Sequence, residues 1–386
     1  MGRINEKVMI RVGPFGMDLA SSMCFLAIPL MLIELGANPV ELGLVGTITS
    51  SIHMGVSHFM GHLSDRFGRR RLIIAAPLLF AASCLLLIFV NKVGAVLALT
   101  ALNGLCLSLF WAPFEAWVAE RETGNGLAHD MGSFNMAWTA AQTVGPILSG
   151  FLFSFYSRLP FMVAAGFSFF LFLAVWSSVQ DTRLKTVPGV ETATEETSNR
   201  QRSFLYAAWV ANLTSWFLLG NVRYQFPKLA SNLSMSPRLI GILIACIAFA
   251  QFSGFFLLRR TGRWHYQKSF LLGAQGIAAA GLFFIAVSNE PFFFALALIL
   301  IGASISVTYY SSMYYAVHLM PKKGKGTGLH ESILGIGAVL GPILGGLAAQ
   351  YAGIRGPYIL CLAVLLAAVV VEVKLLRNRP NAIDAV

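Results

Sequence analysis

Gly61-His62-Leu63-Ser64-Asp65-Arg66-Phe67-Gly68-Arg69-Arg70-Arg71 is a short basic stretch set between two long apolar runs. Charges this dense do not belong in hydrocarbon, so the stretch marks a return of the chain to water. Gly61 has no side chain to hold two helices apart, and Gly68 permits a tight turn. The arginines anchor the loop on one side of a bilayer. They do not explain Asp65, because acidic residues contribute little to topology.

The rest of the chain agrees with a bilayer as solvent. Of 386 residues, 56% are hydrophobic and 12% are charged, whereas soluble domains carry roughly a quarter charged residues. The net charge of +11 would suit nucleic acid only if basic residues gathered on one solvated face. They stand instead in the breaks between apolar runs, so no nucleic-acid partner is expected. The five cysteines (Cys24, Cys84, Cys106, Cys246, Cys361) fall inside apolar runs without metal or CxxC spacing and read as small packing residues. No disulfide, metal or cofactor is expected. The N-terminal apolar run, reaching to about Leu35, is longer than a signal-peptide core and reads as a first span.

Apolar runs between polar breaks predict spans at 9–35, 40–63, 72–91, 94–119, 130–156 and 160–180, then 204–230, 238–258, 268–288, 291–316, 327–352 and 355–376. The stretch 181–203 is polar and reads as a linker between an N-terminal six-helix bundle (1–180) and a C-terminal one (204–386) with a short tail. With the N-terminus inside, 22 of the 28 Lys and Arg fall on the inner side. Lys92, Arg158, Lys228, Arg238 and Arg355 fall outside, and Arg223 lies within a span. The distribution predicts a multi-pass protein of the cell (inner) membrane with both termini cytoplasmic.

The two sets of spans match at a nearly constant offset. Pro29 pairs with Pro227, Pro39 with Pro237 and Gly43 with Gly241, each 198 apart. Gly132 pairs with Gly328, Gly145-Pro146 with Gly341-Pro342, and Gly150 with Gly346, each 196 apart. Parallel repeats of this kind place two bundles around a central site.

The stretch from Gly61 to Arg71 resembles the major facilitator superfamily signature G-x-L-[SA]-D-R-x-G-R-[RK] at every defined position, and span count and repeat extend the resemblance over the whole chain. It implies an all-α polytopic fold of twelve transmembrane helices in two pseudo-symmetric six-helix bundles, and a transporter rather than an enzyme. It also implies a cytoplasmic latch of Gly61, Asp65, Arg66, Gly68, Arg69 and Arg70. Asp65 would lie against the start of the eleventh helix near Gly326-Thr327-Gly328, where the helix dipole favours an anion. Arg69 would pair with Glu115 or Glu120 at the end of the fourth span. The second-half copy, Phe255 to Trp264, carries Arg259 in the aspartate position, so the latch is expected on one side only.

The fifth-span run Gln142 to Gly150 and its repeat Gly337 to Gly346 look like the superfamily's G-P-x-x-G-G element, typical of its exporters. Glycine permits close contact and proline bends a helix. Gly145, Pro146, Gly150, Gly341, Pro342, Gly345 and Gly346 are therefore expected as a helix-packing hinge.

Ionisable groups inside spans are costly and mark candidate sites. Asp18 sits well inside the first span with Ser21 and Ser22 on the same face. Arg223 either snorkels to the outer surface or faces the cavity. Along the tenth span Ser304, Thr308, Ser311, Ser312 and Tyr315 form a polar stripe beside Tyr309, either a cavity wall or a set of interhelical bonds. Asp18, Ser21, Ser22, Arg223, Tyr309, Ser311 and Tyr315 are the expected substrate and ion-coupling residues. The chain is thus expected to be a monomeric secondary transporter using alternating access. It would export a small amphipathic or drug-like molecule with an ion, the proton first; uptake of a metabolite and lipid flipping are the alternatives. The sequence holds no nucleotide-binding G-x-x-x-x-G-K-[ST] loop and no convergent nucleophile–base set.

Overall fold

The computed structural model describes residues 6–119, 125–179, 199–320 and 323–377. Among them are twelve helices and no strand: α1 (Glu6–Glu34), α2 (Pro39–Phe67), α3 (Arg69–Phe89), α4 (Val93–Ala119), α5 (Asn125–Phe153), α6 (Leu159–Ser178), α7 (Asn199–Asn232), α8 (Pro237–Leu258), α9 (Lys268–Val287), α10 (Pro291–Leu319), α11 (Lys323–Ala352) and α12 (Gly356–Arg377). Each predicted span has its helix. α5 and α7 begin five residues earlier than predicted, because a helix continues into polar sequence where hydropathy carries no signal. The proposed linker lies outside the described residues except for 199–203, which are helical and open α7.

Local chemistry sets the ends. Asn38 and Glu41 form a capping box at α2, with Asn38 Oδ1 accepting from the Glu41 amide at 3.0 Å and Glu41 Oε2 from the Asn38 amide at 2.8 Å; Pro39 takes the first helical position. The equivalent start of α8 keeps half of the device: Ser236 Oγ accepts from the Leu239 amide at 3.4 Å and Pro237 takes the first helical position, with no acid to reach back. α2 ends at Gly68, whose φ of +89° lies where only glycine is comfortable, and α3 starts at the next residue. The turn read from the sequence is therefore made at Gly68.

The helices run alternately, so the starts of odd-numbered helices and the ends of even-numbered ones share one face, here the near face. In the first half α1 packs on α5 and α6, α2 on α4, and α3 on α4 and α6; in the second, α7 packs on α11 and α12, α8 on α10, and α9 on α10 and α12. The sets join along α2–α11 and α5–α8. Nine helices are long and apolar enough to cross a membrane among the described residues. The three that fall short are α2, α5 and α7, which contact the opposite half and so shelter polar residues from lipid.

Two arginines on the far face repeat each other. Arg158 donates to the Leu87 carbonyl at the end of α3 and to Asn91 Oδ1. Arg355 donates to the carbonyls of Ile285, Ala286 and Ser288 at the end of α9 and to Asn289 Oδ1. Both satisfy carbonyls that a helix C-terminus leaves without partners. On the near face Arg70 does the same for α6, its Nε donating to the Val179 carbonyl at 2.7 Å and Nη2 to that of Trp176 at 3.0 Å.

Candidate functional site

Asp18 lies 12 residues into α1, about 18 Å from its start at 1.5 Å per residue. Its side chain is buried, with 4% of the residue exposed. Ser21 Oγ donates to Oδ1 at 3.1 Å, and Gln142 Nε2 of α5 donates to Oδ2 at 3.3 Å. The other end of the same amide, Gln142 Oε1, accepts from Arg223 Nη2 of α7 at 3.0 Å. One amide thus links an acid of the first half to a base of the second without letting them touch. The Arg223 guanidinium lies 4.9 Å from the centre of the Phe25 ring, a cation–π contact across the interface. Of the two readings of Arg223, the structure places its head group between the halves.

Beside this relay is a small cavity of about 20 Å³, room for about one water, lined from the first half by Ser22, Phe25, Leu26, Gln142 and Pro146 and from the second by Leu219, Arg223, Ile244, Ile247, Ala248 and Gln251. Ser22 reaches it, but its hydroxyl is bonded to the carbonyls of Leu19 and Ala141. The Gln251 amide is buried and its Nε2 has no partner.

The tenth-span stripe does not join this group. Thr308 donates to Ser215 of α7 at 2.8 Å, and Ser312 pairs with His330 of α11 at 2.8 Å. Tyr309 packs among Trp138, Trp216, Phe255 and His330. Ser311 is buried. Tyr315 sits at the near face, where its hydroxyl accepts from the Tyr266 amide at 2.9 Å and its ring stacks on Tyr266. Tyr309, Ser311 and Tyr315 therefore lie outside the cavity lining. For Thr308 and Ser312 the interhelical-bond alternative describes the contacts, whereas Tyr315 holds the loop between α8 and α9.

At the latch, the side chain of Asp65 and all of Glu120 lie outside the described residues, and of Gly61 only its place in α2 is described. Arg66 is exposed beside Phe67, and Arg69 is partly buried at the start of α3. Glu115 is within electrostatic reach of Glu331 on α11.

The Gly-Pro elements occupy close helix contacts. A Cβ on Gly43 would collide with the Pro342 carbonyl, and one on Gly241 with that of Pro146. Gly150 lies against the Pro237 carbonyl and Gly346 against that of Pro39. Gly145 abuts Ser22, Gly341 abuts the Phe217 carbonyl, and Gly345 abuts the Asn221 side chain.

Sequence reasoning passed over Gln142 as a site residue, and Gln251 and Phe25 altogether. The available signal was an isolated amide inside an apolar run: Gln251 is one of the few polar side chains in α8. It also missed Glu372 of α12, buried and accepting from Gln275 Nε2 at 2.7 Å.

The family model described as Major Facilitator Superfamily matches residues 12–323 and 208–385, and the chain belongs to that superfamily. It is a multi-pass membrane transporter, not an enzyme. It is 23% identical over 347 residues to an uncharacterized MFS-type transporter of Methanocaldococcus jannaschii, covering 86% of this chain and 88% of the relative. It is 23% identical over 338 residues to Multidrug resistance protein 1 of Bacillus subtilis, covering 83% of each. Its fold matches a crystal structure of a bacterial homologue of the human lysosomal transporter Spinster with TM-score 0.74 at 13% identity, over 96% of both chains.

Proposed function

We propose that this chain exports a small amphipathic compound by alternating access, coupled to protons at Asp18, with both termini in the cytoplasm. The observation that carries the proposal is the Asp18–Gln142–Arg223 relay, which spans the two halves beside the central cavity. Asp18 is a buried carboxylate whose side-chain contacts are a hydroxyl and an amide rather than a cation. Such partners hold the carboxyl group in place without fixing its charge, which is what reversible proton binding requires. The relay would break when the halves separate, so the state of Asp18 and the opening of the cavity are linked. The multidrug relative supports the outward direction. The Gly61 to Arg71 loop would act as the cytoplasmic latch, with Asp65 and Arg69 closing that face.

The test is flux into proteoliposomes under a pH gradient of either sign, with Asp18→Asn as the variant. Gradient-driven flux is expected to vanish in Asp18→Asn while the protein melts within a few degrees of the wild type. Unchanged gradient-driven flux would remove Asp18 from coupling. Flux driven only in the opposite direction would turn the reading to uptake.

A further inference from the structure

We propose that the central cavity recognises an organic anion, with a carboxylate, sulfonate or phosphate head held by Arg223 and Gln251 and an apolar body lying against Phe25, Leu219 and Ile244. This rests on the reading of the cavity as the transport site. Among the described residues Arg223 is the only charged side chain that lines the cavity. Among the described residues no carboxylate comes within salt-bridge distance of it: Asp18 stands behind Gln142, which takes one guanidinium N–H. A guanidinium offers five donors in a rigid fork that matches the oxygens of such anions. Four of those donors therefore remain for a ligand.

A second observation points the same way. Gln251 is 2% exposed, lines the same cavity from α8, and its Nε2 donor has no partner. A buried donor without an acceptor is unfavourable and is relieved by a ligand that brings one. The open N–H groups of Arg223, its positive charge and the unpartnered Gln251 Nε2 in an apolar wall define the ligand as an acceptor-rich anion. A cationic head group would meet Arg223 with like charge. Both groups belong to the second half, so the head group travels with that half, while the first half contributes Phe25 and Leu26 to the body. As it stands the cavity has room for about one water, so the body is admitted as the halves part.

The experiment is binding calorimetry on the purified full chain in nanodiscs with three probes that share a ring system: 2-naphthoate, 2-naphthylmethylammonium and 2-naphthylmethanol. The wild type is expected to bind naphthoate about tenfold or more tightly than either of the others, the margin of a charge-assisted hydrogen bond. Arg223→Gln should erase that margin and leave the alcohol unchanged, Arg223→Lys should keep part of it, and Gln251→Leu should weaken naphthoate alone by a few-fold. The inference is overturned if naphthoate does not bind at millimolar concentration, if the ammonium or the alcohol binds as tightly, or if Arg223→Gln keeps the margin. Should Arg223→Gln fail to fold, an unchanged margin in both Arg223→Lys and Gln251→Leu overturns it equally. Anion preference without gradient-driven flux would retain this site and sink the coupled-transport reading. Flux with ammonium preferred would do the reverse.

Discussion

The far-face edges of the two halves are copies of each other; the centre is not. Arg158 and Arg355, 197 positions apart, each bond a helix C-terminus and a loop asparagine, Asn91 and Asn289, 198 apart. The cross-contacts Gly43 with Pro342 and Gly241 with Pro146 are likewise one contact made twice. In the cavity the same offset brings Phe25 against its own counterpart, Arg223, and sets Asp18 opposite the position of Trp216. Symmetry persists where the requirement is backbone satisfaction or close approach, which both halves share. It is broken where a charge is placed, because one acid and one base suffice for a single site.

The largest expected effect comes from forcing the symmetric contacts apart. Gly43→Val and Gly241→Val each insert a side chain where a carbonyl already sits, costing this packing about 1–3 kcal/mol or more. Both should reduce transport in proteoliposomes about tenfold or more; full activity in one of them would show that the two contacts are alike in shape but not in energy. Next come Arg158→Ala and Arg355→Ala. Each strips several hydrogen bonds from a charged donor, and for partly buried groups about 1.5–3 kcal/mol is expected. Both should lower the melting temperature by a similar few degrees, and a loss confined to one would break the symmetry at the edge. The smallest effect belongs to Arg70→Ala, which releases the α6 carbonyls of Val179 and Trp176 for about 1 kcal/mol. It should shift melting slightly; a larger loss in transport than in stability would give Arg70 a role in the latch as well.

What was legible in the sequence depended on residue type at fixed spacing. Gly68 and the paired Gly-Pro elements could be read because close approach and positive φ leave few alternatives to glycine. Asp18 and Arg223 stood out because a charge in an apolar run is rare. The amide between them did not, since glutamine is tolerated in membrane helices and announces no partner; only the fold brings α1, α5 and α7 together at Gln142. Counting arginines by side of the membrane treated Arg158 and Arg355 as exceptions, though what matters is which carbonyls they meet. The tenth-span stripe shows a different limit. Polar residues at helical spacing look the same whether they face a cavity or a neighbouring helix, so Tyr315 was expected in the cavity and stands at the near face.

The two glycine–proline contacts are related by the approximate two-fold that relates the halves, so together they form an isologous interface of the kind found in a homodimer. The chain is in this sense a dimer carried on one polypeptide. Each substitution on α2 acts on one of the two copies of that surface while α8 keeps the other. The covalent connection is what lets the copies diverge, and it is through that freedom that Arg223 came to stand across from Phe25 without a second arginine to repel it.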